Sequence, residues 1–168
     1  MYKQLSLICL ILAALFVTSC KQKPTTPPYN LDKKTRKISI PYEEFGGVKT
    51  IPVKLNGITM NMIYDTGCSG ISLSLNEVQT LAKNGKLDAS DILDSDYSTI
   101  ADGSIVEDGA INIREIEIGG KDGIKVQNKR ASVKLNQIAP ILLGNSVLDE
   151  LASVEVDNVN KTINFFKK

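Results

Sequence analysis

Residues 51–70 read IPVKLNGITMNMIYDTGCSG, and this stretch decides the architecture. Ile51, Val53 and Leu55 alternate with Pro52, Lys54 and Asn56, and Ile58, Met60 and Met62 resume the alternation after Asn56-Gly57. A period of two puts one set of side chains on one face of a strand, and Asn-Gly suits a two-residue turn that needs positive φ at both positions. The stretch therefore predicts a β-hairpin. Its second strand runs straight into Ile63-Tyr64-Asp65-Thr66-Gly67-Cys68-Ser69-Gly70, so a carboxylate stands where a buried strand turns into a glycine-containing loop. An acid in that position is partly desolvated.

Working outward, Ser74 reads as an N-cap with Glu77 completing a capping box. Leu75, Val78, Leu81 and Ala82 form an apolar stripe, and Asn84-Gly85 stops the helix. Ile111 and Ile113 alternate, then Ile116 and Ile118 alternate on the opposite parity, which predicts a bulge or bend near Arg114-Glu115. Val126, Val133 and Leu135 read as strand. The last third gives an apolar run from Ile138 to Leu143 closed by Gly144, and a short helix from about Ser146 to Leu151. Strands follow around Val154–Val156 and Ile163–Phe166. The fold class is mostly β, closed or nearly closed, with one or two short helices.

The 168 residues carry 20 Lys and Arg against 19 Asp and Glu, and no His. Without histidine there is no Ser-His-Asp or Cys-His nucleophile, no imidazole metal cage and no imidazole base. Catalysis must come from carboxylates, Lys, Ser, Tyr or Cys. A balanced charge with no basic cluster offers no footprint for phosphates, so nucleic acid is not an expected partner. Asp88, Asp91, Asp94 and Asp96 invite a calcium reading, but the cluster lacks the Gly and terminal Glu of an EF-hand loop and reads as a solvated acidic loop.

The N-terminus has the form of an address. Lys3 precedes an apolar run from Leu5 to Val17, too short for the roughly 18 residues a bilayer span needs, and the run ends in Val17-Thr18-Ser19-Cys20. That ending resembles a bacterial lipobox, which implies a signal peptide over 1–19 and lipidation of Cys20. Acyl chains there would anchor the protein to a membrane surface. The expected location is outside the cytoplasm, on a bacterial cell membrane, at its periplasmic or outer-membrane face. Residues 20–37, rich in Pro and basic residues with little to bury, read as a flexible tether, and 38–168 as the single domain. Cleavage would remove Lys3 and no acid, leaving 19 basic residues against 19 acidic ones. Cys9 leaves with the signal and Cys20 with the lipid, so Cys68 has no intramolecular partner.

The chemistry resides in Asp65-Thr66-Gly67, followed by Ser69-Gly70 and Ser72. Downstream come a glycine turn at Ala101-Asp102-Gly103 and the run Ile141-Leu142-Leu143-Gly144. With these features in this order, the sequence resembles the retropepsin-like (clan AA) aspartic peptidases, the single-domain relatives of pepsin that include retroviral proteases and a bacterial branch. The resemblance covers about Lys49 to Phe165. It implies a closed β-barrel of the acid-protease fold, homodimeric, with peptide or protein as substrate and with no cofactor or metal.

The resemblance also implies roles for particular residues. Asp65 matches the catalytic aspartate, Thr66 the hydroxyl residue that ties the two active-site loops together, and Gly67 the glycine that lets the loops approach. Ile100, Ala101, Asp102, Gly103 and Ser104 fall in the substrate flap, within Thr99–Gly109. Leu142, Leu143 and Gly144 match the hydrophobic-hydrophobic-glycine motif, and Thr162–Phe166 falls where the family forms its dimer-interface sheet. Cys68 in place of Ala or Ser, a polar insertion at 83–98 and a flap tip without an aromatic residue are departures that bear on substrate preference.

Peptide hydrolysis by this route needs one ionised carboxylate to activate water and one protonated carboxylate to donate to the carbonyl, because two adjacent like charges do not both ionise cheaply. The chain has one Asp-Thr-Gly and no Asp-Ser-Gly. A competent site therefore pairs Asp65 with Asp65 of a second chain across a two-fold axis.

Plainer readings stand beside these. Asp65 can be a turn residue capping local N–H groups; Asp102-Gly103 and Asp108-Gly109 can be hairpin turns; Gly144 can serve tight packing; Cys68 can be a small apolar residue. The function expected is a membrane-tethered aspartic endopeptidase. The alternatives are a silent retropepsin-like lipoprotein that binds peptide or an envelope partner, and a structural lipoprotein.

Overall fold

A computed structural model describes residues 30–32, 37–100 and 102–168. The signal segment 1–19, Cys20, most of the tether and Ala101 lie outside the described residues.

The hairpin that opens the reading forms as its alternation predicts. Strand β4 (Val48–Leu55) pairs antiparallel with β5 (Ile58–Tyr64) from Thr50↔Ile63 to Leu55↔Ile58. Asn56 and Gly57 take φ of 47° and 88° between them. Ile51, Val53, Leu55, Met60 and Met62 are buried, each contributing about 1.5–3 kcal/mol relative to exposure. Around this hairpin lie β3 (Glu43–Phe45), β6 (Ile71–Ser74), β7 (Ile92–Thr99), β8 (Ile105–Ile118), β9 (Ile124–Lys134) and β10 (Leu142–Leu143). They form one sheet of eight strands in the order β3-β4-β5-β10-β6-β9-β8-β7, closed by pairing of β4 with β8.

The parity change near Arg114-Glu115 is a bend without an inserted residue. The β8–β9 register keeps step from Gly109↔Val133 to Ile118↔Ile124, while β8 exchanges its other neighbour. It pairs with β7 up to Ile92↔Ile111 and with β4 from Leu55↔Ile116 onward. Asn56 fills the gap at the exchange, accepting from Glu115 N and donating its own N–H to Glu115 O.

A second sheet has the order β1-β2-β12-β11, built from β1 (Asn30–Asp32), β2 (Lys37–Pro41), β11 (Leu151–Asp157) and β12 (Thr162–Lys167). Pairing of Asn30–Asp32 with Lys37–Ser39 brings part of the expected tether into this sheet. Ile38, Ile40, Ile163 and Phe165 from this sheet belong to the same core as the barrel residues.

Helix α1 (Leu75–Lys83) carries the capping box read from Ser74 and Glu77. Leu81 is its buried residue, whereas Ala82, placed in the stripe by spacing, is exposed. A four-residue helix α2 (Asn145–Leu148) buries Val147 and Leu148. Leu135 falls one residue past β9 and is exposed, as is Ile138.

Two further expectations are corrected. Asp108-Gly109 is not a turn but mid-strand in β8, where Gly109 pairs with Val133 and Asp108 is buried. Asp91 is not solvated either: it is 3% exposed, accepts from Asp88 N at 2.8 Å, and pairs with Arg114 at 3.3 Å. The Arg114 guanidinium also bonds Asp88, which with the Asp91 charge holds it above its ordinary pKa. Among the described residues, no three or more Cys, Asp or Glu side chains converge as a metal ion would require.

Candidate active site

Asp65 follows the last residue of β5, and short β10 holds it there. β10 threads between β5 and β6, parallel to the first (Leu142↔Ile63, Leu143↔Tyr64) and antiparallel to the second (Leu142↔Ser72, Leu143↔Ile71). Ile63 N donates to Ile141 O at 2.9 Å and Asp65 N to Leu143 O at 3.2 Å. The sequence motif Leu142-Leu143-Gly144 is thus the backing strand of the Asp65 loop.

Gly144 has a steric reason. A Cβ there would stand 2.2 Å from Gly70 O and 2.4 Å from Cys68 O, inside any allowed contact. With no side chain in the way, Asn145 N donates to Cys68 O and Ser146 N to Ser69 O, both at 2.9 Å. Asn145 Nδ2 adds a bond to Thr66 O at 2.9 Å. Buried backbone groups must be paired, and here the loop's carbonyls are paired by the turn into α2.

Within the loop, Asp65 Oδ1 accepts from Gly67 N at 2.8 Å, and Cys68 N donates to Asp65 O at 3.3 Å. A Cβ on Gly67 would lie 3.1 Å from that same carboxylate oxygen, so a small residue lets amide and acid meet. The local capping reading of Asp65 is therefore correct as far as Oδ1 goes. Oδ2 has no hydrogen bond among the described residues, and the side chain is half-buried. Thr66 and Gly67 are exposed. The Cys68 thiol donates to Gly70 O at 3.2 Å, a satisfied, part-buried group. Tyr64, which precedes the acid, packs on the core, and burial pushes its hydroxyl above its ordinary pKa.

The flap segment forms a hairpin end between β7 and β8. Ile100 N donates to Ser104 O at 2.9 Å and Gly103 N to Ile100 O at 2.8 Å. Asp102 accepts from Ser104 N at 2.9 Å and from its hydroxyl at 2.7 Å, bonds that hold its carboxyl below the usual range. Ile100, Asp102, Gly103, Ser104 and Ile105 are all exposed. No hydrogen bond or ion pair among the described residues joins this tip to the Asp65 loop. A cleft of about 570 Å³ lies elsewhere, lined by Ile124, Val126, Glu150 and Leu151 among others, none from the loop or the tip. The fold brings Asp65, Thr66 and Gly67 together with Leu142, Leu143 and Gly144.

Residues 51–150 match the family described as "gag-polyprotein putative aspartyl protease". The chain belongs to that family. The matched span runs from the first strand of the hairpin to the residue before β11 and includes the Asp65 loop, the flap hairpin and the Gly144 strand. Among solved structures, the fold resembles the crystal structure of a retropepsin-like aspartic protease from Rickettsia conorii, with a TM-score of 0.54 at 21% identity. The likeness covers 77% of this chain and 88% of that one. No curated protein matches the sequence. The barrel is accordingly a retropepsin-like fold, and the span matched to the family contains Asp65-Thr66-Gly67.

Two residues that matter to the loop escaped the sequence reading. Asn145 ties α2 to Thr66, and Ser146 N ties it to Ser69, while Ser146 Oγ is buried without a partner. The only signal was their position directly after Gly144.

Proposed function

We propose that the protein is a membrane-tethered, homodimeric aspartic endopeptidase whose dyad is Asp65 from two chains. The observation that carries the proposal is the Asp65 carboxylate with one oxygen held by Gly67 N and the other left free, on a loop whose Thr66-Gly67 face is exposed. One chain supplies one acid. Opposed to its copy, the ionised carboxylate takes a proton from water as the oxygen attacks the peptide carbonyl carbon, and the protonated carboxyl gives its proton to the carbonyl oxygen. Collapse of the tetrahedral species breaks the C–N bond, with a proton passed to the leaving nitrogen. Family membership and the retropepsin-like fold support this reading.

The arrangement of the second sheet bears on how two chains would meet. β12 is paired on both sides within its own chain, by β2 and by β11, so Thr162–Phe166 has no free edge to offer. Among the described residues β11 and β1 are the outer strands of that sheet, and α2 joins β11 directly to the Gly144 strand behind Asp65. A second copy adding at β11 would lie close to the loop. The tether and lipid at Cys20 would then hold the dimer on a bacterial cell membrane, at its periplasmic or outer-membrane face, in reach of exported or envelope peptides.

The experiment is cleavage of a diverse peptide library by the wild-type chain and by Asp65→Asn. Hydrolysis that disappears in the variant and is blocked by a statine-type transition-state mimic supports the proposal; a wild-type dimer that cuts nothing favours the peptide-binding alternative.

A further inference from the structure

Asp108 is an acid whose Asp-Gly context suggests a turn, yet the fold buries it in a strand at 4% exposure. Its carboxylate accepts from Ser98 Oγ on β7 and pairs with Lys134 Nζ at 2.5 Å, from the last residue of β9. A carboxylate this deep persists only where its partners satisfy it. One side chain thus fixes three strands in a single arrangement.

Its place in the register gives that contact a purpose. β9 backs β8 from Gly109↔Val133 onward, whereas the pairs Asp96↔Asp108 to Thr99↔Ile105 involve β7 and β8 alone. Asp108 stands at the point where the hairpin loses its third strand and continues as a two-stranded ribbon. Such a ribbon is marginal on its own. Lys134 in turn is paired in register with Ser74, the N-cap of α1, whose hydroxyl also donates to Gln137 O. The root of the ribbon is therefore tied to the rigid helix–sheet layer, and the exposed tip is not.

We propose that Asp108, Lys134 and Ser98 form the anchor of the flap: they hold the hairpin's root still, so that opening for a peptide is confined to the ribbon beyond it. These are positioning residues. The consequence for catalysis rests on the peptidase reading above, whereas the consequence for hairpin motion does not.

The test uses the full chain with Ser98→Ala, Lys134→Arg, Lys134→Met and the double variant Asp108→Asn/Lys134→Met, which removes both charges together and so guards against misfolding from a lone buried acid. Hydrogen exchange is read at the amides of Ser98–Ile100 and Asp102–Glu107 and, for comparison, along Ala110–Ile118. The expected result in the double variant is about tenfold faster exchange in the ribbon with the rest of β8 unchanged, and wild-type behaviour in Lys134→Arg. For a cleaved peptide, KM rises about fivefold while kcat stays within about twofold. Unchanged ribbon exchange in every variant, or acceleration spread evenly along β8 and β9, overturns the anchor. A wild-type chain with no Asp65-dependent cleavage overturns the peptidase reading instead, and the exchange map still decides the anchor.

Discussion

Asn145 reaches back across 79 residues to Thr66, its Nδ2 donating to the Thr66 carbonyl at 2.9 Å while its backbone N–H donates to Cys68 O at the same distance. The side chain therefore orients the residue that directly follows the acid. Asn145→Ala removes one exposed hydrogen bond, worth about 0.5–1.5 kcal/mol, and leaves the backbone bond in place. Misplacing a catalytic loop is far costlier to rate than to stability, so kcat/KM is expected to fall by about tenfold or more with a near-wild-type denaturation midpoint. Paired kinetics and urea denaturation check this; a loss of stability that accounts for the whole loss of activity contradicts it.

Gly144→Ala is expected to act on folding first. Its Cβ would meet Gly70 O at 2.2 Å and Cys68 O at 2.4 Å, both rigid backbone atoms. Overpacking of this kind costs about 1–3 kcal/mol or more, because the loop or β10 must shift. Gly109→Ala, whose Cβ would meet Val133 Cβ at 3.4 Å, is the milder comparison. Equal midpoints for the two variants in thermal unfolding would refute the steric role of Gly144.

The flap tip has a defined pH response. Asp102's carboxyl lies below its ordinary value of 3.8, chiefly through the Ser104 backbone N–H and then its hydroxyl. A pKa lower in the folded state than in the unfolded one stabilises the turn above the unfolded value, and the contribution is lost as pH falls through the folded value. The bonds from Ser104 to Asp102 therefore support the turn fully above about pH 4, and that support is lost only in stronger acid. Asp102→Asn should abolish that loss in acid. A carboxyl NMR titration with Asp102 at or above 3.8 would overturn the prediction.

The proposed dimer has a local signature. As chain concentration rises, sedimentation should show a dimer, and amides on the outer edge of β11 should gain protection from hydrogen exchange. Those of β12, already paired with β2 and β11, should not change. Protection gained in β12 alone would place the seam elsewhere.

What the sequence revealed and what it hid have physical causes. The β4–β5 hairpin was legible because alternation and Asn56-Gly57 are local signals, and α1 because Ser74 and Glu77 lie within one turn. Asp65-Thr66-Gly67 and Leu142-Leu143-Gly144 were legible as motifs, although only the fold shows Gly144 lying under Cys68 and Gly70. Asn145 was invisible because its partner is remote in sequence. Asp108-Gly109 and Asp91 were misplaced because Asp and Gly are local turn signals, and the cations that allow these acids to be buried, Lys134 and Arg114, come from other strands. The parity switch at Arg114-Glu115 was visible, but its origin in an exchange of neighbours from β7 to β4 belongs to the closed barrel.

The most direct test is a mixing experiment with Asp65→Asn, which keeps an oxygen for Gly67 N and so preserves the loop. Peptide cleavage is followed for the wild type alone, the variant alone, and the wild type titrated with excess variant. The account predicts activity that rises faster than chain concentration, an inert variant, and inhibition of the wild type by the variant through mixed dimers with one acid. Cleavage by the variant alone, or wild-type activity indifferent to the added variant, would contradict a dyad of Asp65 from two chains.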